Sequence, residues 1–367
     1  MAQKFFTPKN ILSMQADYNI IFGERSNGKT YGTLKYCLEE YIAGRGQMAL
    51  IRRWMDDFTG KRGTVMFDAL VKNGEISKLT KGQYDNIFYR ASQWWLCRWD
   101  EKTEARIMDT QPFAYGFGLN SNEHDKSTSY PGIKNIVFDE FIARRAYIPD
   151  EFILFINTLS TIIRNRKDVK IFMLGNTISK FCPYFNEMGL TNILKMKQGT
   201  IDIYTYGDSD LKVAVEYVAP TKGGKKSDKY FAFNNPKLKM VTSGAWEMDI
   251  YPHLPIDYDK DDRVFTYYIK NQTETLACEI IMHDTGPFTY IHRKTTPIRK
   301  EEQQIVYSRE HTNNPYHRRS GLIFPNNELD KRLNWFFKND RVFYQSNDIG
   351  EVVADFITWA KHERRAI

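Results

Sequence analysis

Eight residues near the amino terminus, Gly23-Glu24-Arg25-Ser26-Asn27-Gly28-Lys29-Thr30, follow the pattern GxxxxGK[ST]. The chemistry that needs such a string is the grip of a compact polyanion. Backbone N–H groups surround a triphosphate only where the chain turns tightly, which calls for glycine at the bends. A helix that follows points its positive end at the same charge. On this reading Gly23 to Thr30 cradle ATP, Lys29 reaches its β- and γ-phosphates, and the Thr30 hydroxyl takes a position on Mg²⁺.

About 110 positions later, Ile136-Val137-Phe138-Asp139-Glu140 is an apolar run ending in two acids. Beside a phosphate loop, Asp139 would hold Mg²⁺ through water and Glu140 would orient and deprotonate the attacking water. Neighbouring residues at a strand end point to opposite sides, which lets the two acids do different jobs. A pair of acids favours hydrolysis over transfer to a small acceptor. Three further groups admit two readings each. Asn176, after Leu174-Gly175, is either a sensor of the γ-phosphate or part of a Gly-Asn turn. Arg25, Arg52 and Arg53 are either cations near the phosphates or surface charges. Arg164 and Arg166 either end a solvated helix or reach a neighbouring subunit's nucleotide to offset transition-state charge.

These side chains need elements to place them. Tyr18 to Phe22 reads as a strand, Lys29 to about Ile42 as a helix with Tyr31, Leu34, Cys37, Leu38 and Tyr41 on one face, and Met48 to Arg52 as the next strand. Asn86–Arg98, Phe113–Leu119, Asn135–Phe138 and Lys170–Leu174 are further strands. Pro149-Asp150 opens a helix whose apolar face runs from Phe152 to Ile163, with Arg164 to Lys167 at its end. Alternation of strand and helix predicts an α/β fold with a mainly parallel sheet. The strand from Met48 to Arg52 is expected between the loop-bearing and the acid-bearing strands. Residues 1–205 are read as one ATPase domain and 206–245 as a linker or lid, with the Gly/Lys-rich stretch Pro220–Lys229 inside it. Residues 246–367 form a smaller α/β domain with strands at Arg263–Lys270, Thr275–Met282 and Pro287–His292 and helices at Glu328–Lys338 and Val352–Arg364.

The 367 residues carry 52 Lys and Arg against 45 Asp and Glu, a net charge of +7 that permits a polyanionic partner without demanding one. Hydrophobic residues at 42% and charged residues at 26% describe a globular chain. No apolar run reaches the roughly 20 residues of a membrane span, and MAQKFFTPKN lacks the apolar core of a signal peptide, so neither membrane insertion nor secretion is expected. Cys37, Cys97, Cys182 and Cys278 form no CxxC pair, which argues for plain thiols in a reducing compartment.

GERSNGKT, then Asp125-Lys126-Ser127-Thr128-Ser129-Tyr130-Pro131 leading into IVFDEF, then IIRNR, then LGN followed by Pro183-Tyr184-Phe185, resemble the DNA-packaging ATPases of phi-29-like small tailed phages, relatives of large terminase subunits. The resemblance covers residues 5 to about 190 and weakens beyond them. It implies a P-loop ATPase of the additional-strand, catalytic-glutamate class in a homomeric ring, five subunits by expectation. The ring would dock on the portal vertex of a procapsid in the host cytoplasm and drive double-stranded DNA inward, with a structural RNA as a further partner. It implies Arg164 as an arginine finger acting in trans and Lys126 as a second cation acting near a neighbour's nucleotide. Arg52 or Arg53 would be a lid residue at the cofactor, and Arg25 the arginine found inside such loops. It also implies an RNase H-like C-terminal domain. The strand Arg263–Lys270 offers no inward carboxylate, and Glu279 and Asp284 stand isolated, so the expectation is a vestigial nuclease that keeps nucleic-acid contacts. Lys222, Lys225, Lys226, Lys229, Lys237, Lys239, His317, Arg318 and Arg319 are its candidate phosphate contacts or solvated charges. The rival readings are a zonula occludens toxin-like assembly ATPase, a P-loop kinase, a nucleotide-gated DNA-binding scaffold and a nuclease-competent terminase.

Overall fold

The computed structural model describes residues 6–121, 128–143, 147–179, 181–207, 209–219, 246, 249–254 and 256–363. The chain forms two compact units, Met1–Glu247 and Met248–Ile367. No helix among the described residues is long and apolar enough to cross a membrane.

The first unit is built on a sheet whose central strands are parallel. In chain order these are β1 (Tyr18–Gly23), β2 (Gln47–Arg52), β3 (Asn86–Arg90), β4 (Gln93–Asp100), β5 (Ala105–Met108), β6 (Ala114–Gly118), β7 (Ile133–Asp139), β8 (Lys170–Asn176), β9 (Thr200–Thr205) and β10 (Lys212–Tyr217). The spatial order is β3-β4-β6-β2-β7-β8-β1-β10-β9, with β5 on β4. The parallel core β6-β2-β7-β8-β1-β10 is buried on both faces, which is why its strands read as unbroken apolar runs. Successive residues split between two clusters. Ile20, Phe22, Ala49, Ile51 and Phe138 pack with Phe155, Leu159 and Ile162 of the helix Glu151–Ile163. Ile21, Leu50, Val137 and Leu174 pack on the other face with Leu34, Cys37 and Leu38 of the helix Lys29–Ile42. Full burial of each such side chain contributes about 1.5–3 kcal/mol.

Three expectations about this unit need correction. The strand between the loop-bearing β1 and the acid-bearing β7 is β8, not β2. β2 lies beyond β7, paired with it on one side and with β6 on the other. A strand does intervene, but it is the one ending in Asn176. The boundary at 205 is also too early. β10 lies in the region read as linker, yet it pairs in parallel with β1 from Tyr18↔Val213 to Phe22↔Tyr217, and Trp246 stacks on Phe22 at 5.3 Å. The Gly/Lys-rich stretch itself lies outside the described residues. The candidate strand Asn86–Arg98 is a hairpin, β3 and β4, turning at Ala91 and Ser92, both with positive φ.

The second unit holds β11 (Arg263–Asn271), β12 (Glu274–Ile281), β13 (Phe288–Arg293), β14 (Val306–Tyr307), β15 (His317–Arg318) and β16 (Val342–Tyr344) in the order β15-β14-β11-β12-β13-β16. β11-β12-β13 is an antiparallel meander; β14 is parallel to β11, β15 to β14 and β16 to β13. The helices Glu328–Lys338 and Asn347–Glu363 bury Leu333, Phe336, Val353 and Phe356.

Candidate nucleotide site

Gly23–Thr30, Arg52, Asp139, Glu140 and Asn176 meet at the C-terminal ends of β1, β2, β7 and β8. β1 ends at Gly23, and the chain loops through Ser26, at φ 61°, to Gly28, at φ 84°, before the helix begins at Lys29. A side chain at Gly28 would cost about 1–2 kcal/mol in that left-handed conformation, so glycine is what lets the helix start so close to the strand. The Lys29 side chain folds back into the bend. Its Nζ donates to the carbonyls of Glu24 at 2.7 Å and Gly23 at 3.4 Å, and to Oδ1 of Asn27 and of Asn176, both at 3.1 Å. Burial lowers the Lys29 pKa from 10.5 to about 8, opposed by the carboxylates of Asp139 and Glu24 and reinforced by Arg25. Arg25 and Ser26 are exposed on the loop, while Glu24 and Asn27 are buried.

Asn176 is in register with Gly23, which places it beside the loop. A Cβ at Gly175 would lie 2.7 Å from the Ile142 side chain, which would have to shift. Across the site, the Thr30 hydroxyl donates to Asp139 Oδ1 at 3.0 Å, joining two residues 109 positions apart. Asp139 is buried at the end of β7, and burial pushes its carboxyl above the ordinary carboxylate range, with Arg52 opposing.

The acids differ from expectation in what they face. Arg52 bridges both: Nη2 lies 2.7 Å from Asp139 Oδ2 and Nη1 lies 2.8 Å from Glu140 Oε2. Glu140 has left the strand geometry, with φ 63°, and its side chain is 64% exposed where that of Asp139 is 6%. The two carboxylates therefore share one cation from one side, rather than pointing to opposite sides.

Arg53, expected at the phosphates, is placed elsewhere. It is 8% exposed, and its guanidinium donates to both oxygens of Glu151 and to the carbonyls of Glu140 and Phe141. Arg52 is the arginine of this pair that faces the acids. Lys126 lies outside the described residues.

Arg164 and Arg166 sit at the other end of the sheet. Arg166 donates to the carbonyls of Pro131, Ile133, Ile162 and Ile163, which consumes it in tying the helix end to the start of β7. Arg164 is exposed at the helix C-cap, with one bond to the Thr128 carbonyl at 3.1 Å. β7 spans seven residues, so about 20 Å of strand separates this end from Asp139.

In the second unit the candidate phosphate contacts Arg318 and Arg319 serve internal pairs. Arg318 bonds Asp330, which also accepts from Tyr307, and Arg319 bonds Glu363 and lies 5.3 Å from the Trp359 ring. His317 is half-buried near Glu301, and the six candidate lysines lie outside the described residues. Glu279 is bound by Arg263 at 2.7 Å and the Tyr258 hydroxyl at 2.8 Å. Asp284 lines a polar depression of about 390 Å³ with Asp257, Asp259 and Asp262, which sequence spacing did not bring together. No group of three or more His, Cys, Asp or Glu among the described residues is arranged to hold a metal. All four cysteines are free and buried.

The first unit's donor set suits a magnesium-bound polyphosphate. Thr30 and Asp139 offer converging hard oxygens. The buried Nδ2 of Asn27 and Nε of Arg52 have no hydrogen-bond partner among the described residues, leaving donors for an anion.

Fold and site together define an α/β protein with a cation-lined bend and an acid pair at one end of a mainly parallel sheet. A family model described as Podovirus DNA encapsidation protein (Gp16) matches residues 2–205 of the 367, and the chain belongs to that family. The "DNA packaging protein" of Bacillus phage phi29 and that of Bacillus phage PZA are each 27% identical over 184 residues, 49% of this chain and 49% of each relative. The chain thus spans about half the length of the curated relatives it matches. A chain of "The bacteriophage Phi-29 viral genome packaging motor assembly" has the same fold, with a TM-score of 0.59, 19% identity and coverage of 98% of both chains.

Proposed function

We propose that this chain is the ATP-hydrolysing subunit of a viral motor that drives double-stranded DNA into a procapsid. The observation that carries the reading is the Thr30–Asp139 contact beside a Lys29 already turned into the glycine bend. Membership of the encapsidation family supplies the process. The bend Gly23–Thr30 is the phosphate loop of a P-loop ATPase, with Glu24, Arg25, Ser26 and Asn27 along its rim. Mg²⁺, when bound, neutralises charge at the β- and γ-phosphates, and Thr30 and Asp139 are the residues that would hold it. Lys29 exchanges loop carbonyls for phosphate oxygens. Glu140 takes a proton from the attacking water, for which its Oε2 must first leave Arg52. Asn176, bonded to Lys29, registers the γ-phosphate on this reading.

Arg164 lies too far along β7 to serve its own chain's site, which supports its action on a neighbour in a homomeric ring, five-membered by family resemblance. Arg166 is spent on backbone carbonyls, so Arg164 is the finger. Lys126 keeps its proposed role near a neighbour's nucleotide on resemblance alone. The portal vertex, a structural RNA and the host cytoplasm as the place of action are proposed with the motor. The meander β13-β12-β11 extended by the parallel β14 and β15 supports an RNase H-like reading of the second unit. The test is steady-state phosphate release with and without double-stranded DNA and procapsids. The proposal expects release that both stimulate; release indifferent to DNA and procapsids overturns the motor.

A further inference from the structure

We propose that Arg53 is a positioning residue for that hydrolysis: clamped by Glu151, its guanidinium holds the main chain of Glu140 and so aims the Glu140 carboxylate. The inference rests on the ATPase reading above. Glu140, Phe141, Tyr147 and Glu151 converge on this one group. Nε donates to Glu151 Oε2 at 2.6 Å and Nη2 to Oε1 at 2.8 Å. Nη1 donates to the Glu140 carbonyl at 3.3 Å and Nη2 to that of Phe141 at 3.1 Å. The Tyr147 ring lies 5.0 Å from the guanidinium carbon, and the Tyr147 hydroxyl closes back on the Ala143 main chain. Glu151 is fixed in turn by the Ile148 N–H at 2.8 Å and the Tyr184 hydroxyl at 3.0 Å.

The arrangement matters because Glu140 is held at φ 63°, a conformation a non-glycine residue keeps only where its surroundings over-determine it. Two consecutive arginines divide that work. Arg52 engages the carboxylates of Asp139 and Glu140, and Arg53 engages the carbonyls just behind them.

The test uses the full chain, reading ATP affinity and single-turnover hydrolysis separately. Truncating Arg53 alone would strand a buried Glu151 charge and threaten folding. Arg53→Lys keeps the charge but cannot offer a planar fork to the carboxylate and two carbonyls at once. Arg53→Met with Glu151→Gln removes both charges together. The expected result for Arg53→Lys is ATP affinity within about threefold of wild type and hydrolysis slower by roughly 10- to 100-fold, the scale of a catalytic group displaced by about 1 Å. The double variant, where folded, shows the same split, and where it does not fold Arg53→Lys decides. Hydrolysis within twofold of wild type, or parallel loss of binding and hydrolysis, overturns the positioning role. Lys29→Ala separates the two failures. If it leaves hydrolysis intact, the ATPase reading has failed; if it abolishes hydrolysis while Arg53→Lys is fully active, only the positioning role has.

Discussion

The two ends of the central sheet treat their charges in opposite ways. At the C-terminal ends of β1, β7 and β8, cations and acids converge on one another. Lys29 sits on loop carbonyls and Asn176, Arg52 bridges Asp139 and Glu140, and buried donors on Asn27 and Arg52 find no partner among the described residues. At the opposite end Arg166 is saturated by four backbone carbonyls and Arg164 projects outward. One end gathers its charges inward, and the other carries a cation outward on a fixed helix end. On the proposed reading, a subunit built this way would hold most of one site and the missing part of another.

The largest effects should come from the nucleotide end. Lys29→Ala removes the only ammonium in the bend, and Glu140→Gln keeps its shape while removing the base. Each is expected to lower phosphate release by about 10³-fold or more while circular dichroism stays native. Near-wild-type turnover in Glu140→Gln would reassign the base. Arg164→Ala comes next and tests the other end. An arginine supplied to a neighbour's site is worth about 10³–10⁵ in rate in related phosphoryl transfer. Mixed with wild-type subunits, the variant should depress turnover more steeply than its mole fraction. A strictly linear mixing curve would place Arg164 outside any neighbour's site and erase the contrast between the ends.

How far these ends could be read from the sequence depends on what each signal encodes. The glycine bend and the acid pair are legible because their chemistry fixes residue type and spacing together, whereas Asn176 admitted two readings and only the pairing of β8 with β1 sets it beside Gly23. Arg52 and Arg53 are not separable that way. They are adjacent at a strand end, so their faces depend on the parity of β2, and β2 carries a register irregularity against β7 between Gln47 and Met48. Strand neighbours are equally hidden: nothing local to Lys170–Asn176 says it will slip between β1 and β7. The stretch from Met55 to Leu79 folds as helices of four or five residues, too short for periodicity to register. Arg318 and Arg319 look like any basic pair until Asp330 and Glu363 are folded against them.

A pH titration sharpens the comparison at moderate scale, because among the described residues only the nucleotide end holds a lysine whose pKa burial has lowered to about 8. The phosphates need the charged form, so ATP affinity should fall by about tenfold per unit once pH exceeds roughly 8, until the bound-state pKa is reached. The sign for folding is opposite. The folded pKa lies below the unfolded 10.5, so between about 8 and 10.5 the unfolded chain binds more protons and ligand-free stability gains from Lys29 as pH rises. Calorimetric affinities and thermal midpoints across pH 7 to 9.5 check both. Affinity flat through that range would mean that Lys29 does not touch the phosphates.

The smallest effect on turnover should come from Arg166→Ala, although the residue stands two positions from Arg164. Its four carbonyl partners bind the end of the helix Glu151–Ile163 to the entry of β7. Hydrogen bonds from a charged group contribute about 1.5–3 kcal/mol net, and the orphaned carbonyls near the surface recover water. A loss near 2 kcal/mol corresponds to a thermal midpoint lower by roughly 4 to 8 °C in the first unit. Turnover per folded subunit should stay within about twofold at low temperature, with a linear mixing curve, because the side chain is held inside its own chain. If Arg166→Ala instead poisoned mixed rings as Arg164→Ala should, the saturated arginine would be the one that reaches out, and its four backbone bonds would have to be exchanged on assembly.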